Sequence, residues 1–115
     1  MMNILIVDDD EDVLIRLEQT LEAEGYRTAT AWSGREALSI AQTSKFDMLL
    51  VDEHLSDLES AIVVEKLREL QPEASLLLMH TRREPGKSIP HPDNRAVCKW
   101  ETDEVKKRVR NSLAA

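Results

Sequence analysis

The chain has 115 residues, enough for one compact domain with a real core and too few for two. Its formal net charge of −7, with 32% charged and 42% apolar residues, argues against direct binding to nucleic acid or to anionic membranes, which are met by basic patches. Cys98 is alone, which excludes an intramolecular disulfide and a cysteine metal cage and fits a reducing cytosol. Residues 1–7 carry no basic stretch, and their apolar run is too short for a signal peptide or a membrane span. A cytoplasmic protein is expected.

The first apolar run, Ile4-Leu5-Ile6-Val7, ends in Asp8-Asp9-Asp10-Glu11. Leu14, Leu17 and Leu21 then recur at helical spacing, and Gly25 follows as a C-terminal cap. A weaker strand is predicted over 26–30. Ser33-Gly34-Arg35-Glu36 reads as a capping box opening a helix through Ala37, Leu38 and Ala41. The second apolar run, Met48-Leu49-Leu50-Val51, ends in Asp52-Glu53, and Val63, Leu67 and Leu70 form a further helical stripe stopped by Pro72. The third run, Leu76-Leu77-Leu78-Met79, leads into residues 82–95, where Pro85, Gly86, Pro90 and Pro92 leave no room for two turns of unbroken helix. A short strand is predicted over 96–99. Thr102 is the expected cap of a last helix, with Val105, Val109 and Leu113 inward and Lys106, Lys107, Arg108 and Arg110 outward.

None of the three strong runs alternates with polar residues, so each reads as a strand buried on both faces. Strands alternating with helices in this way define a doubly wound parallel α/β sheet with right-handed crossovers. In such sheets ligands bind beyond the carboxyl ends of the strands, where strand order reverses. If the first and third strands are neighbours, Asp8, Asp9 and Asp52 converge at that edge. Carboxylates so close repel one another unless a cation joins them. An all-oxygen set suits a hard ion such as Mg²⁺. One acid after a strand is more simply a helix N-cap, which is the plain reading of Asp10 or Asp12. Acids ending two separate buried strands are harder to explain that way.

Ile4-Leu5-Ile6-Val7-Asp8-Asp9-Asp10 and Phe46-Asp47-Met48-Leu49-Leu50-Val51-Asp52 resemble the opening strand and the phosphoacceptor strand of response-regulator receiver domains of two-component signalling. The resemblance implies one receiver domain over 1–115. It implies a flavodoxin-like, five-stranded parallel sheet of order 2-1-3-4-5, here with its fourth helix degenerate or missing. By position, Asp9 and Asp52 would ligate Mg²⁺ directly, Asp8 would act through water, and the backbone carbonyl of His54 would add a ligand. Asp52 would take a phosphoryl group from a sensor histidine kinase or phosphotransfer protein, and Lys99 would pair with that group. The chain would not be an enzyme in its own right, beyond taking part in its own phosphorylation and dephosphorylation. The output partner is not named by the sequence.

Several positions depart from the family pattern. His80 stands where Thr or Ser ends the fourth strand, with Thr81 one place beyond. Ala96 replaces the aromatic switch, Trp100 follows the lysine in place of Pro, and Ser56 and Ser60 occupy the Pro and Gly positions after the acceptor. His80 is open to three readings: a surrogate donor, a pH-sensitive group or a plain cap. His54 and His91 read as surface residues, and Trp32 and Trp100 as packing residues. The departures fall on the parts that relay phosphorylation, which makes a phosphorylation-independent interaction module the alternative function. A phosphohydrolase using Asp8-x-Asp10 is a more distant one, because the chain lacks the length for a cap and a distant acidic motif.

Overall fold

Apolar residues at 4–7 and 48–51 need cover on both sides, and a five-stranded parallel sheet supplies it. β1 (Asn3–Val7), β2 (Arg27–Ala31), β3 (Met48–Asp52), β4 (Ser75–His80) and β5 (Ala96–Cys98) lie in the order β2-β1-β3-β4-β5. The computed structural model describes residues 1–80 and 96–114. The proline-rich crossover over 82–95, with Thr81 and His91, lies outside the described residues, as does the expectation that it lacks a full helix. Four helices are described: α1 (Glu11–Ala23), α2 (Gly34–Thr43), α3 (Ser60–Leu70) and α4 (Thr102–Leu113). No helix among the described residues is long and apolar enough to cross a membrane.

The strand period of two divides the core into two layers. Ile4, Ile6, Met48, Leu50, Leu77, Met79 and Val97 pack with Leu14, Leu17 and Leu21 of α1 and with Val105 and Val109 of α4. Leu5, Val7, Leu49 and Val51 pack on the other face with Ala37 and Ala41 of α2 and with Val63 and Leu67 of α3. On that second face, α2 approaches α3 so closely that a Cβ on Gly34 would stand 2.7 Å from Cγ2 of Val63.

The helix ends follow local chemistry. Asp10 caps α1 by accepting the N–H of Asp12 at 2.9 Å, and Glu11 and Asp12 add favourable charge to its first turn. At the other end Gly25 takes φ 96°, its N–H bonds to the Glu22 carbonyl, and the Tyr26 N–H bonds to the Leu21 carbonyl. This is the Schellman arrangement, and it turns the chain into β2.

Some expectations are corrected. The 26–30 strand begins one residue later, because Tyr26 is spent on closing α1. Ser33 accepts the Glu36 N–H at 3.1 Å, but the Glu36 carboxylate returns to the N–H of Trp32 at 3.3 Å, so the capping box is only half formed. Leu70 is 39% exposed and ends the stripe outside the core. Thr102 is the first residue of α4, with Glu101 at the cap position and no side-chain cap bond there. Trp32, 67% exposed, is not a packing residue; Trp100, 37% exposed, lies under the Arg16 guanidinium at 4.8 Å.

A buried polar staple went unread in the sequence. Gln71, just past α3, accepts the Phe46 N–H at 3.0 Å through Oε1. Its Nε2 donates to the carbonyls of Ala41 at 2.8 Å and Ser44 at 2.7 Å, tying the end of α2 to the start of β3.

Candidate functional site

The chain leaves β1 toward β2 on one side, and β3 lies on the other, so the carboxyl ends of β1 and β3 flank the point where strand order reverses. Val7 pairs with Val51 and Asp52 with Met79, which brings Asp8 and Asp52 side by side. Strand alternation also settles which way they face. Asp8 continues the Ile4 and Ile6 row, Asp52 the Met48 and Leu50 row, and Lys99 the Val97 row, all on the α1 and α4 side.

Lys99 lies one residue past β5, with its N–H on the His80 carbonyl at 3.0 Å. Its Nζ donates to Oδ2 and Oδ1 of Asp8 at 3.0 and 3.3 Å and reaches Oδ2 of Asp52 at 3.4 Å. Asp8, Asp52 and Lys99 are 0%, 3% and 4% exposed. Asp9 stands beside them in solvent, and carboxylate oxygens of Asp8, Asp9 and Asp52 all lie within 4.8 Å of one another.

Burial raises the Asp8 carboxyl above its usual range, against the pull of the Asp10 N–H and of Lys99, with Asp52 adding to the rise. Burial likewise raises Asp52, against Lys99 and the His54 N–H, with Asp9 adding to it. Burial works to lower Lys99, but its hydrogen bond to Asp8 and the charges of Asp8 and Asp52 outweigh it and raise the ammonium. Lys99 is therefore the protonated partner of the cluster. With all three carboxylates ionised, one ammonium leaves two negative charges uncompensated, which is the charge of one divalent cation. The oxygens also span little more than the ~4 Å that separates opposite ligands on one Mg²⁺. The residues present fit a hard divalent ion.

The other expected residues fall nearby or outside. His54 is exposed, and its backbone N–H donates to Oδ1 of Asp52 at 3.3 Å. His80 ends β4, half-buried, one residue beyond the partner of Asp52. Thr81 lies outside the described residues.

Two residues of the β3–α3 connection carry more than sequence reasoning assigned them. The Ser60 hydroxyl, at the family glycine position, is shared between the carbonyls of Asp52, at 2.8 Å, and Glu53, at 2.5 Å. Asp57 accepts the N–H groups of Gly34 at 2.9 Å and Arg35 at 3.0 Å, capping α2 from across the chain. No local pattern signals this cap, since 23 residues separate Asp57 from Gly34.

Desolvation raises the Asp57 carboxyl, but the N–H groups of Gly34, Arg35, Asp57 and Leu58 together outweigh it and hold the carboxyl below its usual range. A folded pKa depressed in this way stabilises the protein above the unfolded carboxylate range, near pH 4, and the gain is lost as pH falls through the lower folded value. Asp57→Ala is expected to cost about 1 kcal/mol at neutral pH and nearly nothing in stronger acid. Urea unfolding of both proteins across that range measures it, and a difference independent of pH would refute the charged cap.

A family model described as the response regulator receiver domain matches residues 4–89, and the chain belongs to that family. Among curated relatives, the alkaline phosphatase synthesis transcriptional regulatory protein PhoP of Bacillus subtilis is 36% identical over 81 residues, 70% of this chain and 34% of PhoP. The transcriptional regulatory protein PrrA of Mycobacterium tuberculosis is 35% identical over 79 residues, 69% of this chain and 34% of PrrA. The chain spans about a third of the length of these relatives. A CheY-like receiver domain protein of Methanospirillum hungatei superposes with a TM-score of 0.85 at 25% identity, covering 99% of this chain and 94% of the other. Response regulator TrrA of Thermotoga maritima, solved in complex with Mg²⁺–BeF, superposes at 0.83 and 26% identity, covering 98% and 100%. The structural likeness extends over β5 and α4, beyond the matched residues.

Proposed function

We propose that this receiver domain accepts a phosphoryl group on Asp52 from the phosphohistidine of a sensor kinase or phosphotransfer protein, with Mg²⁺ bound by the acid cluster. The observation that carries the reading is the Lys99 ammonium held 3.0 Å from Asp8 and 3.4 Å from Asp52 at the ends of adjacent strands. The complex of TrrA with Mg²⁺–BeF supports the choice of ligand.

In this reading Asp8, Asp9 and Asp52 hold the ion, with the His54 carbonyl as a further ligand. When bound, the ion neutralises charge on the phosphoryl oxygens as the acceptor approaches. An oxygen of Asp52 attacks phosphorus in line; the new P–O bond forms as the P–N bond of the donor breaks, and the imidazole leaves with its proton. The Lys99 ammonium turns from Asp52 toward the incoming phosphoryl oxygens, keeping its place beside Asp8. His80, which ends β4, or Thr81, the next residue in the sequence, would meet the phosphoryl group. Its cytoplasmic setting belongs to the same proposal.

Intact mass before and after incubation with acetyl phosphate and Mg²⁺ tests the proposal. The protein is expected to gain one phosphoryl group, and Asp52→Asn is expected to gain none. No gain in the parent protein would favour the phosphorylation-independent interaction module. Gain retained in Asp52→Asn would move the acceptor elsewhere.

A further inference from the structure

The loop over 53–59 carries His54, which meets Asp52 through its N–H, and the loop is pinned at both ends. The Glu53 N–H bonds to the Met79 carbonyl at 2.8 Å, and the Ser60 hydroxyl holds the carbonyls of Asp52 and Glu53. Asp57 pins it a third time, to a different helix. Both of its carboxylate oxygens are used, one on each of the first two N–H groups of α2, and Arg35 Nε stands 4.0 Å away. The attachment point is also closely packed, since Gly34 lies so near Val63 that a Cβ on it would stand 2.7 Å from Cγ2. The next two N–H groups of α2, from Glu36 and Ala37, are taken by Ser33. The first turn of α2 therefore depends on two separate caps, and only Asp57 belongs to the acceptor loop.

We infer that Asp57 is a positioning residue for the cation site: it clamps the acceptor loop to the N-terminus of α2 and so holds the His54 backbone against Asp52. The inference rests on the acceptor reading above and goes beyond it by assigning cation affinity to a residue that touches no ligand. Releasing the clamp lets residues 54–58 sample other conformations. The His54 backbone then reaches its place at the ion only in a fraction of molecules, and apparent affinity falls by that fraction.

The test compares Mg²⁺ titrations of the parent protein, Asp57→Ala, Asp57→Asn and Ser33→Ala, followed by the backbone amide shifts of Asp9 and His54. Asp57→Ala is expected to raise the half-saturating Mg²⁺ concentration about fivefold, the factor that a cap of this kind is worth. Asp57→Asn, which keeps one acceptor oxygen, should fall between. Ser33→Ala removes the other cap of the same helix and should lower the melting temperature comparably, yet leave the Mg²⁺ titration where it was. With acetyl phosphate, the Asp57 variants should need more Mg²⁺ for half the maximal rate and reach the parent rate at saturation. Equal Mg²⁺ titrations in the parent and Asp57→Ala would overturn the inference, as would a shift in Ser33→Ala as large as that in Asp57→Ala. No Mg²⁺ response in the parent protein would overturn the acceptor reading itself, and this inference with it.

Discussion

Lys99→Met is expected to destabilise the fold by about 3–5 kcal/mol at neutral pH without divalent ions, the range for removing one partner of a buried pair. The reason is the imbalance left behind. Asp8 is fully buried, its neighbour Asp52 nearly so, and both lean on one ammonium. Methionine fills the space of the lysine stem but leaves two buried carboxylates facing one another. Either both stay charged and repel, or one takes up a proton; both routes cost free energy. Added Mg²⁺ should recover a larger part of the loss in Lys99→Met than it adds to the parent, because the ion then replaces the missing charge. Urea unfolding with and without Mg²⁺ measures both quantities. A loss below about 1 kcal/mol, the level of an exposed ion pair, would mean that Lys99 is not the compensating charge.

Gln71→Leu is expected to cost about 2–4 kcal/mol, although it exchanges a polar for an apolar side chain of similar size in a buried position. Three main-chain groups lose their partner at once: the Phe46 N–H and the carbonyls of Ala41 and Ser44. The Ala41 carbonyl is buried, and leaving it without a partner costs about 1–3 kcal/mol, more than burying a methyl group returns; the groups of Phe46 and Ser44 are only partly buried and add less. The damage should remain at the end of the sheet opposite the acids, so Mg²⁺ binding should persist in the folded variant. Equal stability of the two proteins would show that water replaces the amide without loss.

What was legible follows from what kind of residue carries the information. The strands at 4–7 and 48–51 announce themselves because burial on both faces forces unbroken apolar runs; the run at 76–79 reads the same way, although Leu76 and Leu78 are only partly buried. The acids at 8, 9 and 52 stand out because they end two separate buried strands of one sheet, which a single helix cap does not explain. Lys99 was legible as a candidate only through resemblance, and nothing in the sequence pairs it with Asp8, 91 residues away. Thr102 was misread because its hydroxyl suits a cap, while the backbone turns into α4 one residue earlier, at Glu101. Asp57, Ser60 and Gln71 were illegible for a shared reason. Each bonds main-chain groups set by tertiary packing, and main-chain groups leave no imprint on side-chain periodicity.

The contact between Gly34 and Val63 has a consequence for how this sequence can change. The lack of a side chain at position 34 lets two helices approach closely, and the facing γ-methyl of β-branched Val63 cannot swing aside as the end of a long chain would. The two positions therefore form a single unit of variation. A methyl gained at 34 is admissible once methyls are given up at 63, and neither change is neutral alone. Because α2 also receives the clamp from Asp57, a change on this seam, outside the cluster of Asp8, Asp9 and Asp52, bears on the loop over 53–59.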